Sequence, residues 1–302
     1  MWWDRLSSWF PRFCTTTTTA RPVDVTPVKI QAEAASLRGA FGVVRFETRN
    51  GMRVAVKTST TSETVRHEAR ILACLHHPFL PVLLSSNDTE LVMADLGRQS
   101  LTEVLQTGCM WRTDYDKIAW CVASALAYMH RLRFHHSDVK CDNVVVDSYG
   151  DAVLVDFNLS RHSSTGWSTS RCGSLSYVAP EIHDNRSPWD AFKADVWSFS
   201  VLYCAILYHR LPFDDEYSVF GQYAMLQRYH GSIGSLRIVW SKSHIFDRGD
   251  VKKIHESVLD TMMQPEPSKR PSMASIEYSL YCLKYGMQVE DSRRPATESS
   301  VV

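Results

Sequence analysis

The sequence lacks an excess of either charge, since its 302 residues include 33 Lys plus Arg and 33 Asp plus Glu. A protein whose main task is to bind nucleic acid carries a basic surplus, so we expect no nucleic-acid partner. Long apolar runs are also missing, because the longest, at 201–208, spans eight residues. A membrane-spanning helix needs about 20 apolar residues, so the sequence predicts none.

Cysteines with metal-ligand spacing are absent as well. The eight cysteines include no C-x-x-C pair, and none of their spacings is that of a zinc site. Scattered thiols of this kind are typical of a reducing compartment, so we expect an intracellular protein, in the cytoplasm or nucleus. A secreted domain stapled by disulfides is the alternative interpretation.

What is present is a globular composition, with 44% hydrophobic residues, between two distinct ends. We predict an amino-terminal extension at 1–27, with five consecutive threonines, and a carboxy-terminal tail at 287–302. Four apolar residues of the extension recur at helical spacing: Trp2, Leu6, Trp9 and Phe13. Two interpretations stay open. Residues 2–13 are a terminal segment that packs on the domain or frays, or they dock on a membrane surface or a partner.

Between these ends the apolar periodicity changes once. Residues 28–96 are strand-like, and Asn50-Gly51 between two apolar runs predicts a hairpin. A short helix is predicted at 63–75, whereas 97–286 is mostly helical in pattern. We therefore predict an α+β fold, with an antiparallel sheet in front, helices behind, and the junction near 94–98.

Two candidate phosphate-binding features lie in the strand-rich part. Gly39 and Gly42 fall in a strand–turn–strand pattern, where glycine lets backbone N–H groups approach a phosphate, although hairpin turns often contain glycine for structural reasons. Lys57 ends a predicted strand, and Glu68 follows on the predicted helix. A buried lysine needs a partner, so Glu68 can hold the ammonium towards a phosphate. The alternative is a surface lysine and a surface glutamate.

Four polar residues in the helical part fit a phosphoryl-transfer site. Asn143 and Asp156 flank two short predicted strands, so their side chains can converge as oxygen ligands for Mg²⁺. Asp138 could accept the proton of an attacking hydroxyl, and Lys140 could stabilise charge beside it.

In this order, the segments resemble the eukaryotic protein kinase family. The resemblance runs from about residue 28 to 285 and includes Ala179-Pro180-Glu181 and Asp195-Val196-Trp197-Ser198. It implies a bilobal protein-kinase fold, with a small antiparallel-sheet N-lobe at 28–96 and a larger helical C-lobe at 97–286. It also implies ATP and Mg²⁺ as cofactors and proteins as substrates.

The resemblance implies roles for the site residues. Asp138 would be the catalytic base, Lys140 would contact the γ-phosphate, and Asn143 and Asp156 would hold Mg²⁺. The remaining nucleotide-binding positions span the glycine loop, the ion pair, the hinge and the adenine pocket: Leu37, Gly39, Gly42, Val44, Ala55, Lys57, Glu68, Met93, Ala94, Leu96 and Val145.

The activation segment implied by the resemblance carries the substrate side. Ser170 aligns with the usual phosphorylation site, and Ser174 aligns with a hydroxyl residue placed against the base. Glu181 would pair with Arg270. Lys140, two residues after the base, is the pattern of serine/threonine kinases, so we predict phosphorylation of serine or threonine.

Three residues depart from the family pattern. Leu37 replaces the first glycine of the phosphate loop, so we expect somewhat weaker ATP binding. Asn158 replaces the glycine after Asp156-Phe157, and because asparagine tolerates a positive φ, we expect the turn to survive. With Ser137, these changes leave a pseudokinase scaffold as the alternative to an active enzyme, although every residue that contacts reacting charge is retained.

Ser137 is the most informative departure, because the family usually has an arginine there that grips an activation-loop phosphate. We therefore expect activity not to depend on phosphorylation at 168–170. The alternative is that another cation, such as Arg171 or Lys193, takes over that role.

Overall fold

The computed structural model describes the chain at 32–39, 42–59, 61–97, 99–107, 115–147, 149–183, 188–212 and 253–287. The predicted extension and all but the first residue of the predicted tail lie outside these ranges, so their interpretations stay predictions. None of the helices within the ranges is both long and apolar enough to cross a membrane.

The front of the chain is one antiparallel sheet of five strands. They are β1 (Ala32–Gly39), β2 (Gly42–Arg49), β3 (Met52–Thr58), β4 (Leu83–Ser86) and β5 (Glu90–Ala94). Their order in the sheet is β1-β2-β3-β5-β4. Asn50 and Gly51 turn the chain from β2 into β3 with φ values of 51° and 75°. Two positive φ values match the twist of a two-residue hairpin, so the predicted hairpin is confirmed.

Helix α1 (Ser62–Cys74) covers one face of this sheet. It begins where the Thr61 hydroxyl accepts a hydrogen bond from the Thr64 N–H, which satisfies one free donor of the first turn. Val65, Ala69 and Leu72 recur at helical spacing and are buried. The helix therefore occupies the place predicted for it.

The rest of the described chain is mainly helical. Its helices are α2 (Leu101–Thr107), α3 (Tyr115–Arg131), α4 (Pro180–His183), α5 (Ala191–Tyr208), α6 (Lys253–Met262) and α7 (Met273–Lys284). Helix α5 is buried on nearly all sides, as an almost wholly apolar helix must be. The Asp190 carboxylate caps its first turn, and His209 ends it in a left-handed conformation.

Short strands position the loops between these helices. They are β6 (Gln99–Ser100), β7 (Phe134–His135), β8 (Val144–Val146), β9 (Ala152–Leu154), β10 (Arg161–His162), β11 (Trp167–Ser168) and β12 (Trp189–Asp190). Strand β7 pairs with β10, and β8 pairs with β9. Because these pairs enclose both loops, the loop at 136–143 lies beside the loop at 155–160. The predicted α+β arrangement, a sheet in front and helices behind, is therefore present.

Candidate active site

Lys57 lies near the end of β3 with its side chain 11% exposed. Its Nζ donates to the Glu68 carboxylate on α1, 3.0 Å from Oε1 and 2.8 Å from Oε2, and to Oδ1 of Asp156 at 2.8 Å. Burial by itself lowers the pKa of Lys57, but the two carboxylates outweigh it and raise that pKa. The ammonium is therefore charged and held in place, with Glu68 as the predicted partner.

Asp138 is buried in the loop after β7 and is surrounded by donors. Lys140 Nζ lies 2.8 Å from Asp138 Oδ2, and Asn143 Nδ2 donates to the same oxygen at 2.9 Å. Burial raises the pKa of Asp138, but Lys140 and the Ser174 hydroxyl outweigh it, and the pKa is lowered. Asp138 is therefore an ionised acceptor at neutral pH.

Ser174 seats the activation segment against Asp138. Its hydroxyl and its N–H donate to Asp138 Oδ1 at 2.9 and 3.1 Å, and Lys140 Nζ donates to the hydroxyl at 2.7 Å. The preceding Gly173 has φ 108°, and a Cβ there would lie 2.9 Å from the Ser137 carbonyl oxygen. Because only glycine permits so close an approach, the sequence allows this seating.

Backbone contacts bring Asn143 and Asp156 together. The Val155 N–H donates to the Asn143 carbonyl at 2.8 Å, so the two loops are tied directly before Asp156. The Phe157 N–H donates to Glu68 Oε1 at 3.0 Å, and this bond links the same turn to α1. Asp156 itself has φ 68°. These bonds place the two residues in adjoining loops, and the convergence of their side-chain oxygens on a metal ion stays a prediction.

Asn143 and Asp156 fit a divalent metal by their donor chemistry. The Asn143 amide nitrogen is committed to Asp138, so its oxygen is the atom left for a metal ion. Mg²⁺ is typically held by one or two protein oxygens together with substrate phosphates. In the described ranges, no group of three or more His, Cys, Asp or Glu is arranged to hold a metal ion.

The predicted adenine-binding residues lie on two sheets. Ala55 on β3 pairs with Met93 on β5, and Val145 is the central residue of β8. Val145 is partly exposed while both its neighbours are buried. Ala94 N–H donates to the Val82 carbonyl at 3.1 Å, so this amide is not free for a base. The carbonyl of Ala94 and the backbone of Leu96 therefore remain the groups predicted to hydrogen-bond adenine.

The glycine loop is described up to its tip. Gly39 pairs with Gly42, and Leu37 pairs with Val44, while residues 40 and 41 lie outside the described ranges. Gly42 has φ 154°, and a Cβ there would lie 2.0 Å from the Thr58 carbonyl oxygen. Gly42 is therefore required by the packing of β2 on β3, whatever it does for a nucleotide. Weaker ATP binding because of Leu37 stays a prediction.

Glu181 and Arg270 form the pair that the resemblance implies. Arg270 NH1 and NH2 donate to the two Glu181 oxygens at 2.7 and 2.8 Å, and both side chains are buried. Lys193 Nζ donates to the carbonyls of Arg270 and Pro271. That Arg171 or Lys193 takes over the role of the missing arginine of the catalytic loop stays a prediction.

Ser137 bonds to His135 and Asp195 at the position where the family has an arginine. Its hydroxyl lies 2.6 Å from Nδ1 of His135, and its N–H donates to Oδ1 of Asp195 at 2.9 Å. Ser170 is exposed on the activation segment, where its N–H donates to the Ser168 hydroxyl. The catalytic loop is thus held by Asp195 and His135.

Asn158 is the residue whose role the sequence analysis missed. The positive φ expected at this turn is found at Asp156, and Asn158 is not among the described residues with positive φ. The turn is present, as expected, but its positive φ lies two residues before the asparagine. The Asn158 side chain instead donates from Nδ2 to Oδ1 of Asp156 at 2.6 Å. No signal in the sequence reports this bond between two side chains.

Comparison with known proteins agrees with this geometry. The family model described as protein kinase domain matches residues 38–282. The chain is 32% identical over 197 residues to CBL-interacting serine/threonine-protein kinase 1 of Arabidopsis thaliana, covering 59% of this chain and 44% of that protein. It is 29% identical over 193 residues to carbon catabolite-derepressing protein kinase of Saccharomyces cerevisiae, covering 59% of this chain and 30% of that protein.

A third relative is matched over more of its length. Aurora kinase of Schizosaccharomyces pombe is 27% identical over 279 residues, covering 87% of this chain and 73% of that protein. The chain spans less than half the length of the first two relatives. Because the family model covers most of the sequence, and the ion pair, the acidic base and the metal-ligand loop stand in its order, this chain belongs to the protein kinase family.

Proposed function

We propose that this chain is a serine/threonine protein kinase that transfers the γ-phosphoryl group of Mg-ATP to hydroxyls of protein substrates. Protein kinases in general use ATP with Mg²⁺. The observation that carries the proposal is the state of Asp138, an ionised carboxylate held between Lys140 and Asn143 with a serine hydroxyl against it. This is the arrangement that a general base for an alcohol requires.

Asp138 takes the proton in the proposed reaction. The substrate hydroxyl would donate its hydrogen to an Asp138 oxygen as its own oxygen bonds to the γ-phosphorus, while the bond from that phosphorus to ADP breaks. Lys140 lies 2.8 Å from Asp138 and can stabilise charge on the transferring group. The proton ends on Asp138, and the phosphoryl group ends on the substrate oxygen.

Lys57 holds the other end of the nucleotide in this proposal. Glu68 orients its ammonium, which can then reach the α- and β-phosphates. Asn143 and Asp156 would hold Mg²⁺, which supplies positive charge to the phosphates when bound. Catalysis of phosphoryl transfer depends mainly on such positioning and charge, so the presence of all these groups favours an enzyme over a binding scaffold.

The preference for serine and threonine is supported by Ser174. A side-chain hydroxyl of this length already lies within hydrogen-bond distance of both Asp138 and Lys140. Proteins are the proposed substrates, and an intracellular location is proposed from the scattered thiols, six of which are free in the structure. Docking through residues 2–13 is a further proposal.

An assay of γ-phosphate transfer from Mg-ATP to a serine-containing protein, with Asp138→Asn as the variant, tests the proposed activity. We expect turnover to fall about 10²–10⁴-fold, because the variant keeps the shape but not the proton acceptor. Asp151→Asn is the control, since it removes only a carboxylate that pairs with Lys117 away from the site. Equal turnover by wild type and Asp138→Asn, or none by either, would contradict the proposal.

A further inference from the structure

Asn158 is nearly buried, at 7% exposed, and its two amide ends differ. Nδ2 donates to Asp156 Oδ1 at 2.6 Å, whereas Oδ1 finds no hydrogen-bond donor within the described part of the chain. Exchanging the amide oxygen and nitrogen would place two oxygens in contact, so the carboxylate fixes the orientation of the amide. A buried acceptor without a donor destabilises the fold, and glycine here would avoid that cost.

Asp156 Oδ1 is also shared with Lys57, whose Nζ lies 2.8 Å away. In the proposed reaction, Lys57 must turn part of its hydrogen bonding towards nucleotide phosphates, and its hold on Asp156 weakens. The Asn158 side chain has no second partner to exchange. Its backbone carbonyl accepts a hydrogen bond from Arg161 Nη1 at 3.0 Å, which holds the residue in place. The amide can therefore keep Asp156 Oδ1 in place while a nucleotide is bound.

We infer that Asn158 is a positioning residue that holds the Asp156 carboxylate by Oδ1 and leaves Oδ2 for the metal ion. The inference rests on the proposed function, because it assumes that Asp156 is a metal ligand. Outer hydrogen-bond partners orient metal ligands and raise metal affinity. Asn158 takes this part here, in place of a glycine that has no side chain to donate.

Binding of ADP to the full chain, measured by calorimetry with and without Mg²⁺, tests the inference without depending on turnover. We expect Mg²⁺ to tighten ADP binding less in Asn158→Gly than in wild type, by about tenfold, at the low end for such partners. Binding without Mg²⁺ should be unchanged. Asn158→Leu, which keeps volume but cannot donate, should behave alike, so either variant suffices if the other folds poorly.

Ser160→Ala is the matched control, since it removes a buried hydroxyl in the same turn that donates to the His136 carbonyl. It should keep the full Mg²⁺ effect. The inference is overturned if both Asn158 variants keep that effect, or if they weaken binding equally with and without Mg²⁺. Asp156→Ala separates the two levels of argument: if it too keeps the Mg²⁺ effect, the proposed metal site fails instead.

Discussion

Two buried ion pairs of this chain look alike in distance but differ in what surrounds them. Lys57 with Glu68 lies between sheet and helix, and its third partner, Asp156, has a side chain 26% exposed. Arg270 with Glu181 lies among the C-lobe helices, with side chains 0% and 5% exposed. The first pair is open to solvent at Asp156, whereas the second is sealed from solvent.

The sealed pair has no donor left for a ligand. Besides Glu181, Arg270 donates to the carbonyls of Gln264, Lys193 and Pro265, and its guanidinium lies 5.1 Å from the Trp197 ring centre. Within the described part of the chain, Lys57 Nζ is bound only by carboxylates, which phosphates can replace. Two ion pairs of similar distance can therefore have different roles. A pair whose donors are all used by the protein stabilises the fold, whereas a pair whose donor can change partners can bind a ligand.

The largest effect on stability should come from breaking the sealed pair. Arg270→Met leaves the Glu181 carboxylate buried and unpaired, so we expect the free energy of unfolding to fall by about 3–5 kcal/mol. Denaturant unfolding measures this loss, and Glu181→Leu combined with Arg270→Met should regain part of it. Arg66→Met, which breaks an exposed pair with Asp88, is the control and should change little. An equal loss of unfolding free energy in Arg270→Met and Arg66→Met would contradict the comparison.

Breaking the open pair should affect turnover more than folding. Lys57→Met removes a preorganised charge from the site, so we expect turnover to fall about 10²–10³-fold. The loss of unfolding free energy should be smaller than for Arg270→Met, because Glu68 keeps a bond from the Phe157 N–H, whereas Arg270→Met also removes three bonds to backbone carbonyls. Activity and denaturant unfolding are measured on the same preparation. If Lys57→Met unfolded as readily as Arg270→Met but kept its turnover, Lys57 would serve stability and not catalysis.

His77, which is partly buried and stacks on Tyr128, offers a pH test of stability away from both pairs. Burial, and next the charge of Arg131, lower its pKa from 6.5 to about 4. The unfolded chain then binds a proton that the folded chain does not, so stability falls as the pH drops from about 6.5 to about 4. The loss is at most about 3 kcal/mol. His77→Gln should flatten this slope in unfolding measurements, and equal slopes for both proteins would contradict it.

The smallest effect is expected at Ser170. Ser174 bonds to Asp138, and Gly173 lies against Ser137, and these contacts hold the activation segment. Ser170→Ala, shown by mass spectrometry to carry no phosphate on this segment, should turn over like wild type. Loss of nearly all turnover in Ser170→Ala would show that activity needs a phosphate on Ser170. Ser170→Asp gives the converse control, since it should bring no gain.

Local sequence signals predicted the helices and the hairpin, whereas contacts between distant segments could not be predicted from the sequence. Asn50-Gly51 and the spacing of Val65, Ala69 and Leu72 act within a few residues, so the hairpin and α1 could be foreseen. The close approach of Gly42 to Thr58, and the binding of Lys193 to distant carbonyls, depend on how segments pack. No short-range pattern reports such contacts.

The sequence by itself determined which chemical groups this protein has and in what order, because turn residues, apolar periodicity and spaced acids act along the chain. The tertiary structure alone decided which oxygen each donor meets. Asp156 accepts hydrogen bonds from Lys57 on the sheet and from Asn158 in its own turn. The Arg270 side chain, in contrast, is fully buried. The physical reason is that the strength of a hydrogen bond or an ion pair depends on distance, orientation and burial, and these exist only once the chain has folded.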